Sequence, residues 1–95
     1  MLVEMAERLR IIVHGRVQGV FFRAHAMEKA HSLGLAGWVR NAPGGTVEIV
    51  AEGEREPLQK FLMWCSVGSP AANVQRIEER WEKASGEFGK FGIRW

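Results

Sequence analysis

Arg23 follows a glycine-bracketed stretch, Gly15-Arg16-Val17-Gln18-Gly19-Val20, which separates a β-branched run from the start of a helical pattern. A strand-to-helix joint collects unpaired backbone N–H groups and the positive end of the helix dipole, so it can cradle a phosphate. Gly15 and Gly19 would permit the tight path and a close approach of the ligand. Arg23 falls in the first helical turn, where its planar fork can take two phosphate oxygens and stays charged at any working pH. The same residues would also suit a plain connector with an exposed arginine. No Gly-Lys-Ser/Thr follows, so the loop is not a nucleotide-binding Walker loop. Asn41 precedes Ala42-Pro43-Gly44-Gly45. An asparagine there suits turn geometry. Its carboxamide is uncharged and both donates and accepts hydrogen bonds.

Other chemistries fit the composition less well. The chain contains neither aspartate nor tyrosine, which disfavours phosphatases that form an aspartyl-phosphate or gather metals with aspartates. Cys65 lies on an apolar helical stripe and position 71 is Ala71, so the cysteine-phosphatase spacing is missing and a buried structural thiol is expected. His14, His25 and His31 follow no zinc-ligand spacing and receive no role. Trp38, Trp64, Trp81 and Trp95 read as core or rim packing.

The elements that must position Arg23 and Asn41 follow from periodicity. Arg8–His14 reads as a strand with Leu9, Ile11 and Val13 on one face. Phe22, Ala26, Ala30 and Leu33 recur at helical spacing, and Gly34-Leu35 resembles a left-handed C-cap with its hydrophobic follower. Leu35–Arg40 is a short strand, Asn41–Gly45 a turn, and Thr46–Glu52 an alternating strand. Val47, Ile49 and Ala51 are expected to face in, and Thr46, Glu48, Val50 and Glu52 out. Pro57 is expected as a first helical residue, followed by the stripe Leu58, Phe61, Leu62 and Cys65. Val74, Ile77 and Trp81 stand at helical spacing, which fits a helix or a bulged strand. The preceding order βαββα favours a strand, because it completes a split βαβ sandwich. Phe91, Ile93 and Trp95 alternate as a further strand would.

Ninety-five residues suffice for one domain with a single core, and no repeat or linker divides them. Residues 1–7 read as an N-terminal extension whose order the sequence leaves open. No apolar run is long enough for a membrane span, and Met1–Arg10 lacks a signal-peptide core, so a cytoplasmic protein is expected. One cysteine excludes an internal disulfide and suits a reducing compartment. Net charge is only +2, but Arg8, Arg10, Arg16, Arg23, Lys29 and Arg40 face Glu28 alone between Arg8 and Gly45. That basic half suits an anionic partner, either a phosphorylated small molecule or nucleic acid, and it also suits a solvated surface.

Two segments carry a family resemblance. Gly15–Arg23 (GRVQGVFFR) and Gly37–Gly53 (GWVRNAPGGTVEIVAEG) resemble the two signature segments of the acylphosphatases, in the expected order. The first matches through Gly15, Val17-Gln18-Gly19-Val20 and Arg23, the second through Gly37-Trp38-Val39, Asn41, Gly45, Val47 and Gly53. Weaker similarity extends to Val67-Gly68-Ser69-Pro70 and Phe91–Trp95. Glu79 departs mildly, where relatives often carry an apolar residue. The resemblance implies an α+β fold, an α/β sandwich of ferredoxin-like βαββαβ topology with an antiparallel sheet and two helices on one face. It implies hydrolysis of small-molecule acyl phosphates with no metal and no cofactor. By similarity, the amides of Gly15, Arg16, Val17, Gln18, Gly19 and Val20 and the Arg23 side chain bind phosphate, while Asn41 orients the attacking water. A monomer without nucleic-acid or membrane partners is the corresponding expectation.

Two alternatives use the same fold or loop. An RNA-binding module would fit the basic charge and the four-stranded sheet, but Arg8–His14 and Thr46–Glu52 lack the aromatics such a sheet presents. A non-catalytic anion sensor would keep the loop but would have no need for a residue that places water.

Overall fold

Leu9, Ile11 and Val13 alternate along the first strand, and all three are fully buried against the helices. The structure is a computed structural model and describes residues 6–95. Its elements run β1 (Glu7–Arg16), α1 (Phe22–Ser32), β2 (Ala36–Asn41), β3 (Val47–Gly53), α2 (Arg55–Val67), β4 (Asn73–Lys83) and β5 (Gly92–Ile93). Residues 1–5 of the expected N-terminal extension lie outside the described residues, and Glu7 already opens β1. The sheet order is β4-β1-β3-β2-β5. β3 pairs antiparallel with both β1 and β2, and β4 pairs antiparallel with β1. This is the ferredoxin-like arrangement. The expected all-antiparallel sheet needs one correction: the short β5 joins β2 in parallel and makes the sheet mixed.

The core lies between one sheet face and the two helices. Phe22, Ala26 and Ala30 of α1 meet Leu58, Phe61 and Cys65 of α2 over Val39, Val47, Ile49 and Ala51. Alanines at two of the three α1 positions let that helix lie close to the sheet. Phe61 stacks on Trp64 and meets Phe91 edge-on, with ring centroids 5.8 Å apart. Truncating such a ring to alanine typically costs about 3–5 kcal/mol. α1 ends as its sequence predicts, with Leu35 N–H donating to Ala30 and Gly34 N–H to His31 in a Schellman pair. Pro57 sits two positions later than expected, as the third residue of α2. It is still within the first turn, where no intrahelical partner awaits its missing N–H. Neither helix among the described residues is long and apolar enough to cross a membrane.

The segment with conflicting periodicity is a strand. Register changes between His14, opposite Arg76, and Gly15, opposite Val74, so Gln75 is an extra residue in β4. The bulge brings Val74 onto the face of Ile77 and Trp81, which produces helical spacing in a strand. The outer sheet face differs from expectation. Val50 and Glu52 are buried rather than exposed, because the chain after β4 folds back over them. There Glu52 accepts from Arg8 Nε at 2.7 Å, from the Ser85 amide at 2.9 Å and hydroxyl at 3.0 Å, and from the Gly86 amide at 3.0 Å. Burial works against the charge of Glu52, yet the Ser85 amide, Arg8, the Gly86 amide and the Ser85 hydroxyl together hold its carboxyl below the ordinary glutamate value.

Candidate active site

α1 begins without a side-chain cap, and no acidic residue stands in its first turn. Instead the first turn carries Arg23, a cation at the positive end of the dipole. Such a placement is unfavourable by about 0.3–1 kcal/mol unless an anion offsets it. Ahead of the helix, the amides of Val17–Phe21 donate no backbone hydrogen bond among the described residues. The loop is nevertheless held firmly. Val17 and Val20 are buried in the core, and the buried Ser69 hydroxyl donates to the Val20 carbonyl at 2.8 Å. Gln18 Nε2 donates to the carbonyls of Ala42 and Thr46 at 2.9 and 2.8 Å. An anchored loop with unpaired donors is a preorganised anion cradle.

A cleft of about 350 Å³ opens beside this loop, lined by Val17, Gly19, Phe21, Phe22, Arg23, Ala24, Asn41, Ile93 and Trp95. Arg8, Arg10, Arg40, Arg55, Arg76 and Arg80 each pair with a glutamate. Arg23 has no carboxylate partner among the described residues, and its guanidinium carbon lies 4.3 Å from the ring centroid of Trp95. Stacking on an aromatic face leaves the N–H groups at the edge of the guanidinium free for an oxyanion. Asn41 ends β2 opposite Val47, with its backbone outside the left-handed region. Its carboxamide makes no hydrogen bond with the described residues. The turn therefore does not use this side chain, which leaves it available to a ligand or water.

The sequence-predicted residues divide into two groups. Val17, Gly19, Arg23 and Asn41 come together around the cleft, and Gln18 ties its two sides. Gly19 has φ +73° and open space where a Cβ would stand. Gly15 and Arg16 belong to β1, opposite Val74 and Asn73, and do not line the cleft. The reason for Gly15 is structural: a Cβ there would lie 2.2 Å from the Asn73 carbonyl oxygen. Phe21, Ile93 and Trp95 were not expected at the site. One sign of Phe21 was available, since Phe22 alone fits the stripe with Ala26 and Ala30 and leaves its neighbour out of phase.

The remaining candidates stay apart from this cleft. Cys65 is fully buried, and burial pushes its thiol up, away from the nucleophilic thiolate. No three His, Cys or Glu side chains among the described residues converge as metal ligands would. On the outer sheet face, Arg8, Arg10 and Arg40 are engaged by Glu52, Glu48 and Glu82. Arg94, on the same face, has no carboxylate partner among the described residues, and its guanidinium carbon lies 4.4 Å from the ring centroid of Trp38.

The acylphosphatase family model matches residues 9–93. The chain belongs to the acylphosphatase family. An acylphosphatase of Methylococcus capsulatus is 48% identical over 87 residues, covering 92% of this chain and 95% of that protein. One from Roseiflexus is 47% identical over 94 residues, covering 99% of this chain and all of its own length (100%). The crystal structure of acylphosphatase from Bacillus subtilis superposes with a TM-score of 0.90 at 40% identity, over 94% of this chain and 99% of that one. The uncapped helix, the unpaired arginine and the idle asparagine thus occur in an acylphosphatase fold spanning nearly the whole chain.

Proposed function

We propose that this acylphosphatase hydrolyses the carboxyl–phosphate bond of acyl phosphates with Arg23 and the loop amides holding the phosphate and Asn41 placing the water. The observation that carries this assignment is the shared cleft of Arg23 and Asn41. One is a cation without a carboxylate and the other a carboxamide without a hydrogen bond among the described residues.

The chemistry needs little more than these groups. A carboxylate leaving group has a pKa of about 4–5, so it departs without a general acid. Charge on the phosphoryl group spreads over its equatorial oxygens, where preformed amides and one guanidinium stabilise it. Asn41 accepts a hydrogen bond from the water and carries no charge to repel the phosphate. The water oxygen forms the new bond to phosphorus as the bond to the carboxylate oxygen breaks, its electron pair leaving with the carboxylate. The water's proton passes to a phosphate oxygen. Of the loop residues, Val17, Gln18, Gly19 and Val20 serve the cradle, while Gly15 and Arg16 end the strand that delivers it. No metal or cofactor takes part in this scheme. The chain acts as a single catalytic domain, and a cytoplasmic monomer that binds small molecules rather than nucleic acid fits the buried thiol and the pairing of Arg8, Arg10 and Arg40 on the outer face.

Hydrolysis of benzoyl phosphate by the purified protein in EDTA, with Arg23→Ala and Asn41→Ala in parallel, tests the proposal. Rapid, EDTA-insensitive loss of the anhydride that both substitutions abolish is the expected result. Absence of hydrolysis by folded wild type would reduce the cleft to an anion-binding site.

A further inference from the structure

Two large apolar side chains at the cleft have no role in folding to explain them. Phe21 is 77% exposed and Trp95 is 90% exposed. Phe22, the neighbour of Phe21, already supplies the core ring. Phe21 is also the only non-glycine residue with positive φ among the described residues, at φ 62° and ψ 23°. Glycine or asparagine would adopt that conformation with less strain. Exposure and backbone strain together, at the rim of a binding cleft, mark a side chain kept for contact with a ligand. Trp95 is positioned independently. Phe91 is buried, its carbonyl accepts from His31 Nε2 at 2.7 Å, and the Arg94 amide donates to Val39 at 2.8 Å. These contacts bring the indole beside Arg23, far from it in the sequence.

Apart from Arg23, Asn41 and the indole N–H of Trp95, the side chains lining the cleft offer no hydrogen-bonding group. Its volume of about 350 Å³ exceeds what a phosphate alone needs. Phe21 and Trp95 line the same cleft and make no ring contact with each other among the described residues, so neither ring covers the other.

We infer that Phe21 and Trp95 form the subsite for the acyl group and make the enzyme selective for acyl phosphates with apolar, above all aromatic, acyl groups. The inference rests on Arg23 holding the phosphate as proposed above. With the phosphate on Arg23 and the loop, the acyl group must leave along the remaining, apolar walls. An aromatic acyl group would exchange water for two rings, whereas an acetyl group is too small to reach both.

The test compares kcat/KM for benzoyl phosphate and acetyl phosphate in wild type, Phe21→Gly and Trp95→Ala. The two substrates differ in intrinsic reactivity, so the readout is the change in their ratio between proteins. Each substitution is expected to lower the benzoyl-to-acetyl ratio about tenfold, the scale of a lost apolar contact. Glycine suits the backbone at position 21, and both side chains are exposed, so the variants should fold. An unchanged ratio in both variants would overturn the subsite. Inorganic phosphate, which has no acyl group, is the control. A rise in its inhibition constant matching the loss for benzoyl phosphate would place the effect on Arg23 or the loop, and would also overturn it. Hydrolysis of neither substrate by folded wild type would instead overturn the acylphosphatase mechanism on which the subsite depends.

Discussion

The side-chain amide of Gln18 donates to the carbonyl oxygen of Thr46 at 2.8 Å, and the same nitrogen reaches Ala42 at 2.9 Å. Gln18 belongs to the loop before Arg23, and Ala42 and Thr46 flank the turn after Asn41. One side chain therefore sets the separation between the phosphate side of the cleft and the residue proposed to place the water. Misplacement of reacting groups by about 1 Å can reduce a rate about 100-fold. Gln18→Leu is expected to lower kcat by about 10- to 100-fold while costing only about 1–2 kcal/mol of stability. Steady-state kinetics beside chemical denaturation would check both. A stability loss with unchanged kcat would confine Gln18 to a structural role.

Two glycines of the same signature segment should respond differently. At Gly15 a methyl group would meet the Asn73 carbonyl at 2.2 Å with φ at +127°, so Gly15→Ala should destabilise the fold by about 3 kcal/mol or more. At Gly19 there is open space, and Gly19→Ala should cost only about 1–2 kcal/mol for its left-handed backbone. Its methyl group would nevertheless stand beside the proposed phosphate position. Raised inhibition constants for inorganic phosphate in folded Gly19→Ala, with denaturation midpoints for both variants, would distinguish the two roles.

Glu52 provides the pH-dependent element. Its folded-state pKa lies below the unfolded value, so its stabilisation is present above the ordinary glutamate pKa and is lost as pH falls through the folded one. Glu52→Gln should cost about 2 kcal/mol near neutral pH, from weakened charge-assisted hydrogen bonds to Arg8, Ser85 and Gly86. The gap between wild type and variant should shrink on acidification, beginning near pH 4.5, the ordinary value for the group. Thermal denaturation at several pH values would measure it. A constant gap would show that Glu52 contributes packing rather than charge.

Much of this arrangement was legible because local signals agreed. Leu9, Ile11 and Val13 marked a strand, Phe22, Ala26 and Ala30 marked a helix, and glycines marked the joint between them. What escaped depended on contacts between distant parts of the chain. Val50 and Glu52 lie at outward positions of β3, and the returning chain after β4 reaches them, with Ser85 and Gly86 on Glu52 and Phe88 near Val50. Val74, Ile77 and Trp81 carried helical spacing because a bulge at Gln75 shifts the phase of a strand, and spacing alone cannot separate the two. Trp95 read as core or rim packing. Its stacking on Arg23 is a tertiary contact with no periodicity to reveal it.

The central claim is the division of labour between Arg23 and Asn41, and Asn41→Ala tests it most directly. Its kcat for benzoyl phosphate and its inhibition constant for inorganic phosphate should be measured on the same preparation. A fall in kcat of about 100-fold or more, with phosphate inhibition within about twofold of wild type, is the predicted result for a group that acts on water rather than on bound phosphate. Full turnover by Asn41→Ala would contradict the mechanism, even in a chain that belongs to the acylphosphatase family.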